Sequence, residues 1–260
     1  MLSPDQQQNA LDLLEKIDEV CTQFSNNNAD QAEAFSAACE SLKDQINLAL
    51  NPQAENTADT SDDGYSSDSD ESHWDPLISI SLYSPSADLI QLVELLHLAS
   101  WVRNLEISCP HMQTLPTSLT KSSATALSLT SCPQLASIFS LPFVLEKLVV
   151  NNCANVATIA AAQLHSLRSI TILMGTKLKM FTLPESLKNF ILTENEIMSQ
   201  LPEKWPNSLQ SCELEGLRGL VSLPQALQTL NAEGKLRTIN CTALNQDANN
   251  SFPKASSRGR

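Results

Sequence analysis

A short phrase of apolar and polar residues returns along the second half of the chain. It reads Leu-Pro-x-x-Leu, then two residues, then an apolar-x-apolar strand. The phrase begins at Leu115, Leu141, Leu183, Trp205 and Leu223, with a degenerate copy at Gln163. The first inward residue of each strand, its anchor, lies 18 to 22 residues after the previous one, and the anchors are Leu105, Leu127, Leu148, Ile170, Phe190, Cys212 and Leu230. A fixed period of about 20 to 29 residues indicates a repeat architecture.

One unit of this size cannot bury its own apolar side, because a strand and a short return segment leave one face uncovered. Stacked units join their strands in one parallel sheet and merge their inward side chains into a continuous core. We therefore predict an α/β fold, a leucine-rich-repeat solenoid of about seven repeats of 20–22 residues, with the parallel sheet on the concave face. The return segments contain proline, so they should be extended or 3₁₀-helical rather than full helices.

Two apolar stripes of helical period open the chain. Ser3 and Gln6 form a capping-box sequence before the first stripe, and the polar turn Asn26–Asn28 separates it from the second. The pattern predicts an antiparallel helical hairpin over residues 1–52. Such a hairpin has one apolar face and little to bury it in. It should therefore pack on the repeats, self-associate, or bind a secretion chaperone through residues 3–50.

Residues 53–75 form an acidic segment rich in Ser and Asp, with few apolar residues. A segment of this composition cannot build a core, so we predict a disordered linker. Ser67, with Asp70 three residues on, stands in a context that acidophilic kinases favour. A solvated spacer without phosphorylation is the simpler interpretation.

The rest of the chain divides into three parts. Residues 76–101 predict a strand and then a helix over Ala87–Trp101, which should cover the first repeat as a cap. Residues 102–241 contain the repeats, and residues 242–260 form a polar tail that we expect to fray first.

Charge is distributed unevenly along the chain. Residues 1–75 contain seventeen Asp and Glu and two Lys, whereas residues 76–260 contain twelve Asp and Glu and fourteen Lys and Arg. The repeats therefore carry no basic stripe, and we expect no nucleic-acid partner. The first ten residues do not resemble a signal peptide, and no apolar run is long enough to span a bilayer. We expect no membrane contact, and a location in the cytoplasm or, without a signal peptide, in a host cytoplasm.

Seven cysteines, an odd number, are scattered at about the repeat spacing, which argues against a disulfide scaffold. Cys109, Cys132 and Cys153 follow successive strands, where neighbouring side chains lie about 5 Å apart. We expect a ladder of buried thiols and no metal site, because ladder side chains run parallel and no His pair accompanies them. No phosphate loop or nucleophile motif is present, so we predict neither a cofactor nor an enzymatic activity.

The outward-facing strand residues predict a binding surface on the concave face. Val149, Leu173 and Ile191 place apolar side chains on consecutive strands, with polar residues around them. An apolar centre with a polar rim is typical of protein-binding patches, although strand propensity alone also favours these residues. The predicted partner-binding residues are Glu106, Ser128, Lys147, Val149, Thr171, Leu173, Ile191, Glu213, Glu215 and Glu233.

The run Leu183–Glu233 resembles the bacterial LPX-type leucine-rich repeats, whose phrase is L-P-x-x-L-x-x-L-x-L-x-x-N, and the likeness extends over about residues 102–240. That subtype is typical of effectors that pathogens deliver into host cells by type III secretion, and some of these begin with a helical hairpin. Two features depart from the family. Cys-Pro turns at Cys109 and Cys132 look like those of plant-receptor-like repeats. Cys241-Thr-Ala lacks the Cys-x-Asp phrase of the ubiquitin-ligase domain that some members carry, so ligase activity is not implied.

These features predict a non-enzymatic module that binds a protein partner on the concave face. The resemblance implies, more specifically, a secreted bacterial effector that acts in the host cell. Two alternatives stay open: an intracellular scaffold or regulator of the producing cell, and a ligase-type effector that lacks its catalytic domain.

Overall fold

The structure is a computed structural model, and it describes residues 2–51, 79–84, 89–174, 177–195 and 197–244. The predicted linker 53–75 and most of the predicted tail 242–260 lie outside these residues. The helices and strands, in chain order, are α1 (Pro4–Asn27), α2 (Ala32–Leu50), β1 (Ser79–Tyr83), α3 (Ile90–Leu95), β2 (Asn104–Ser108), β3 (Ala126–Thr130), β4 (Ser137–Ile138), β5 (Lys147–Asn151), β6 (Thr158–Ala160), β7 (Ser169–Leu173), β8 (Met180–Thr182), β9 (Asn189–Thr193), β10 (Ser211–Glu215), α4 (Gln225–Ala232) and β11 (Leu236–Ile239).

The described strands form two parallel sheets, one on each side of the solenoid. The main sheet has eight strands in the order β1-β2-β3-β5-β7-β9-β10-β11, and the second, on the convex side, has the short strands β4-β6-β8. Within the main sheet buried and more accessible residues alternate, so that Leu148 and Val150 are buried while Val149 between them is not. The predicted fold class, a leucine-rich-repeat solenoid with an N-terminal helical hairpin, is confirmed.

The return segments are short and mostly extended, as their prolines predict. The first one contains a 3₁₀ helix, Thr117–Lys121, in the stretch where Leu119 and Leu127 are separated by an insertion. The last one differs, because after Pro224 the chain forms the helix α4. The anchor predicted at Leu230 is therefore wrong: Leu230 lies in α4, and Leu236 pairs with Cys212 as the anchor of β11. A helix rises only about 1.5 Å per residue, so a helical return segment needs more residues than an extended one to cover the same distance.

Each of the strands β3, β5, β7, β9, β10 and β11 ends in a left-handed turn. The residue that follows the strand has a positive φ. Its backbone N–H can donate to the carbonyl oxygen of the last residue of the neighbouring strand in the next repeat. Thus Asn152 N donates to Leu173 O at 3.1 Å and Glu194 N donates to Glu215 O at 2.8 Å. The six left-handed residues, with φ between 52° and 67°, are Ser131, Asn152, Met174, Glu194, Gly216 and Asn240.

The cysteine ladder lies directly behind these turns, and Cys109, Cys132 and Cys153 are fully buried, as predicted. The thiol of Cys153 lies 3.5 Å from Leu129 O of the preceding strand and 3.4 Å from Asn151 O. Cys241 repeats this arrangement, with its thiol 3.5 Å from Leu214 O. Asn195 takes the same place in another repeat and donates Nδ2 to Leu178 O at 3.0 Å. The thiols therefore replace the amide that ties one turn to the next.

The helical hairpin packs on the first strand of the solenoid. Gln45 of α2 donates Nε2 to Ser81 O at 2.8 Å and accepts Ser81 N–H on Oε1 at 2.7 Å. Its side-chain amide thereby occupies the hydrogen-bonding positions that another strand would take on the outer edge of β1. Leu42 and Ile46, on the same helix, are fully buried in a core that continues into the repeats. Of the three predicted uses of the apolar face, the structure shows packing on the repeats.

The predicted cap is only partly as expected. Its strand is present as β1, which pairs in register with β2 and extends the main sheet by one strand. The helix predicted over Ala87–Trp101 is shorter: residues 85–88 are outside the described part, and α3 passes at Leu96 into a single 3₁₀ turn, Leu96–Leu98. Trp101 and Val102 follow this turn and are buried immediately before β2 begins. In the described parts of the chain, none of the helices combines the length and apolar character needed to cross a membrane.

Candidate protein-binding site

The register of the main sheet arranges its outward side chains in three rows, because parallel strands pair residue by residue without a shift. Side chains in adjacent positions of a row are about 5 Å apart. The middle row crosses all eight strands and consists of Ser81, Glu106, Ser128, Val149, Thr171, Ile191, Glu213 and Arg237. This row contains six of the ten residues predicted to bind a partner, which places them together on one face.

The predicted apolar residues meet at the centre of this face. Val149 pairs with Thr171, and Thr171 pairs with Ile191, so the three lie side by side on β5, β7 and β9. Leu173 lies two residues beyond Thr171 on β7, on the same side of the sheet. All four are half-buried, since they project from the sheet and are not covered by other residues that the structure describes. We call Val149, Thr171, Leu173 and Ile191 the apolar patch.

A hollow of about 520 Å³ lies on the N-terminal side of the apolar patch. Its walls reach from β1 to β5, and Val149 belongs to both the hollow and the patch. Small outward side chains on β1 and β3 make room for the hollow on either side of β2: Ser79, Ser81, Ala126 and Ser128. Glu106 and Lys147, of opposite charge, are among the residues that line it. Hydrogen bonds fix its N-terminal wall, as Asn104 Nδ2 donates to Ser79 Oγ at 3.1 Å.

The C-terminal side of the face is less acidic than the sequence predicts. Glu213 forms an ion pair with Arg237, whose Nη1 lies 3.3 Å from Glu213 Oε1. Glu233 is not on a strand at all, because it follows the last residue of α4, where it forms an ion pair with Lys235 at 2.8 Å. The position predicted for Glu233 is therefore wrong, for the same reason that the last anchor is wrong. Glu215 is on the face, opposite Ile239.

Nine of the ten predicted residues, all except Glu233, are outward residues of the main sheet. The hollow is not among the predictions, although the sequence contains a signal for it: small residues at matching positions of β1 and β3. Arg237 is not among the predicted residues, because the sequence pattern predicts its strand six residues too early. The geometry therefore presents an apolar patch between a hollow and the ion pair of Glu213 with Arg237.

Two of the buried thiols behind this face, those of Cys132 and Cys212, are poor nucleophiles. Burial raises the pKa of Cys212, the inward anchor of β10, to about 12. A hydrogen bond with the Cys153 thiol, together with burial, raises the pKa of Cys132. These groups stay protonated at neutral pH, and a protonated thiol is a poor nucleophile. In the part of the chain that the structure describes, no three His, Cys, Asp or Glu side chains gather in a way that could hold a metal ion.

The comparisons with known proteins found likeness only at the level of structure. No family model matches the chain, and no curated protein matches it. The structure is similar to that of the leucine-rich repeat domain of the type III effector XopL, with a TM-score of 0.43 and 15% identity over 92% of this chain and 96% of that one. It is also similar to TLR13 in a complex with the single-stranded RNA ssRNA13, with a TM-score of 0.33 and 13% identity over 59% of this chain and 30% of that one.

Proposed function

We propose that this chain is a protein-binding module whose partner binds across the concave face, with the apolar patch at the centre of the interface. The observation that carries the proposal is the position of Val149, Leu173 and Ile191 on three neighbouring strands of an outward face. The fold does not require apolar side chains there, since most equivalent positions of the other strands hold polar residues, such as Ser128, Asn151 and Glu213. Contiguous apolar surface with a polar rim is a mark of protein-interaction sites.

The apolar patch is too small to be the whole interface. It covers three strands, or about 10 Å between the outer two, whereas a stable interface buries about 800 Å² on each partner. The partner must therefore also contact the surfaces on either side. On the N-terminal side the hollow has room for a side chain, to which Glu106 offers an acceptor and Lys147 a cation. On the C-terminal side the pair of Glu213 and Arg237 offers polar contacts at the rim.

The finer proposal, a secreted effector whose partner is a host protein, rests on the resemblance of Leu183–Glu233 to LPX-type repeats. The test is to incubate the full chain with lysates of a candidate host and of the producing cell, and to compare the proteins retained. Specific retention from the host lysate alone supports the effector. Retention from the producing cell alone favours the scaffold or regulator.

The helical hairpin is a weaker candidate for self-association or for binding a secretion chaperone through residues 3–50. Its apolar side chains, including Leu13, Ile17 and Leu42, are buried in the core that it shares with the repeats. A second partner for this apolar face would first have to separate the hairpin from β1, with loss of the two hydrogen bonds between Gln45 and Ser81.

Site-specific photocrosslinking tests whether the concave face is the binding site. We replace Thr171, in the middle of the apolar patch, with a photoreactive phenylalanine, and Thr158, on β6 of the convex sheet, as the matched control. The proposal expects the retained protein to crosslink at position 171 and not at position 158. Equal crosslinking at both positions, or crosslinking at 158 alone, would place the binding site elsewhere.

A further inference from the structure

A second surface departs from the repeat pattern in a way that the fold does not explain. The two variable residues of the Leu-Pro-x-x-Leu phrase are Thr-Ser, His-Ser, Glu-Ser, Asn-Ser and Gln-Ala in five of the copies. In the copy that begins at Leu141 they are Phe143 and Val144, and these side chains are 63% and 46% exposed. Five copies of the same phrase show that the fold works with polar or small residues at these positions.

The serine at the second variable position has a structural role in two of the copies. Ser186 Oγ donates to Leu167 O at 2.8 Å, and Ser208 Oγ donates to Leu187 O at 2.6 Å, so each hydroxyl ties its repeat to the preceding one. Val144 has no hydroxyl and cannot make this bond. The repeat therefore replaces a group that stabilises the stack with an apolar side chain that contacts water.

This apolar pair lies beside a groove that the insertion in the preceding repeat creates. The groove, of about 440 Å³, is lined by residues of the insertion, such as Lys121 and Ser123, and on the other side by Phe143 and Val144. Phe143 N donates to Thr120 O at 3.3 Å, which holds the two segments together. Two departures from the repeat, an insertion and an apolar pair, thus meet in one place.

The charge of the groove indicates what it can bind. Its lining, within the described part of the chain, contains the cations Arg103 and Lys121 and no carboxylate. Arg103 is held in position, because its Nη1 donates to Ser123 O at 3.0 Å. Cations next to exposed apolar side chains are complementary to a segment that carries carboxylates next to a bulky apolar residue.

We propose that the surface formed by Phe143, Val144, Arg103 and Lys121 is a second docking site, which binds an acidic protein segment with an aromatic or large aliphatic anchor. The site lies beside the N-terminal ends of β3 and β5 rather than on the concave face, so it does not depend on the concave-face proposal. A chain with two such surfaces holds two different protein segments at once.

The test uses a displayed library of random peptides, selected on the full native chain. Counter-selection uses the variant Phe143→Asn with Val144→Ser, which copies Asn207 and Ser208 of another repeat and is therefore expected to fold. The proposal expects the peptides lost on this variant to be acidic and to contain a bulky apolar residue. The affinity of these peptides should fall about 10-fold or more in this variant, and by a smaller factor in Lys121→Gln. Their affinity for the native chain should decrease as the salt concentration is raised.

Two controls separate this site from others. Met180→Asn removes an apolar residue that is 65% exposed on the convex sheet, and Val149→Thr with Leu173→Thr and Ile191→Thr changes the concave face. Both should leave peptide binding unchanged. Peptides that bind the Phe143 and Val144 variant equally well, or that lack acidic residues, would overturn the proposal.

Other occupants of the surface have their own signatures. A dimer of the native chain in sedimentation, absent in the Phe143 and Val144 variant, would identify a second copy as the occupant. Binding that appears only after the carboxylates of residues 54–75 are neutralised would identify the chain's own acidic segment. Either result would overturn the proposal that a separate acidic protein segment binds there.

Discussion

The two faces of the main sheet come from the same five-residue strands, yet they differ in how much the residue type is restricted. The inward positions hold Leu, Ile, Val, Phe or Cys in every strand from β2 to β10, and all of them are buried. The outward positions of the same strands hold Ser, Glu, Lys, Asn, Thr, Ala and apolar residues. Burial in one shared core restricts the inward residues, whereas the outward residues are available for binding.

According to this comparison, the inward residues determine stability and the outward residues determine binding, and experiments can test this division. A change of an inward residue should reduce the free energy of unfolding. A change of an outward residue should alter binding and leave the stability nearly unchanged. The neighbouring repeats provide controls, because they show which residues each position tolerates.

The largest effect is expected for Leu148→Ala in β5. Leu148 is fully buried in the middle of the stack, and truncation leaves a cavity that neighbouring repeats on both sides cannot fill. The free energy of unfolding should fall by about 2–5 kcal/mol. Val149→Ala, one residue on and on the outward face, should change it by no more than about 0.5 kcal/mol. Urea denaturation of both variants measures the difference, and equal losses would break the comparison of the two faces.

A smaller loss is expected when the thiol ladder is overpacked. Cys153→Leu inserts extra volume at a fully buried position between two turns, and it should cost about 1–3 kcal/mol. Cys21→Leu, at a half-buried position of α1, should cost less than about 1 kcal/mol. Thermal unfolding of both variants measures these losses. An unchanged unfolding midpoint for Cys153→Leu would show that the ladder is looser than the structure indicates.

Alkylation sharpens the same point without a change of sequence. Cys109, Cys132 and Cys153 should stay unmodified in the native chain and react after unfolding, because they are fully buried. Cys21 should react first, since it is half-buried whereas the other six cysteines are buried. Mass spectrometry after timed labelling detects each site. Rapid native labelling of the three ladder cysteines would contradict their position in the core.

A loss similar to or smaller than that at the thiol ladder is expected at the left-handed turns. Gly216 has φ +67°, and a Cβ there would lie 3.4 Å from the backbone of Glu194. Gly216→Ala should therefore cost about 1–2 kcal/mol through backbone strain, with an addition from this close contact. Gly234→Ala has nearly the same strain, at φ +70°, but meets nothing within 4 Å. Chemical denaturation should show the larger loss for Gly216→Ala. Equal losses, or the reverse order, would mean that the contact between turns adds nothing to the cost.

The sequence was sufficient to predict the repeats because their rule is local. A Leu-Pro-x-x-Leu phrase fixes the turn, and the closing Leu fixes which residues of the next strand face inward. The prediction failed in the last repeat, where Leu227 and Leu230 fit a helix as well as the phrase. Only pairing with β10 decides between the two, and it selects Leu236.

The candidate site was predictable in position but not in charge. Alternation along a strand was enough to place Val149, Leu173 and Ile191 on the concave face. The ion pair of Glu213 with Arg237 depends on the register of the last strand, which the sequence alone placed too early. The docking of the hairpin through Gln45 could not be predicted from the sequence either, because Gln45 and Ser81 are far apart in the chain and no local pattern links them.

The central claim is that the apolar patch binds a protein and does not hold the fold together. The direct measurement uses Val149→Thr with Leu173→Thr and Ile191→Thr, residues that the array already carries at equivalent positions, such as Thr171 and Thr193. Calorimetry of the protein that crosslinks at position 171 should show binding about 10-fold weaker or worse, a loss above about 1.4 kcal/mol, with an unchanged unfolding midpoint. Undiminished binding, or a variant that unfolds, would contradict the account.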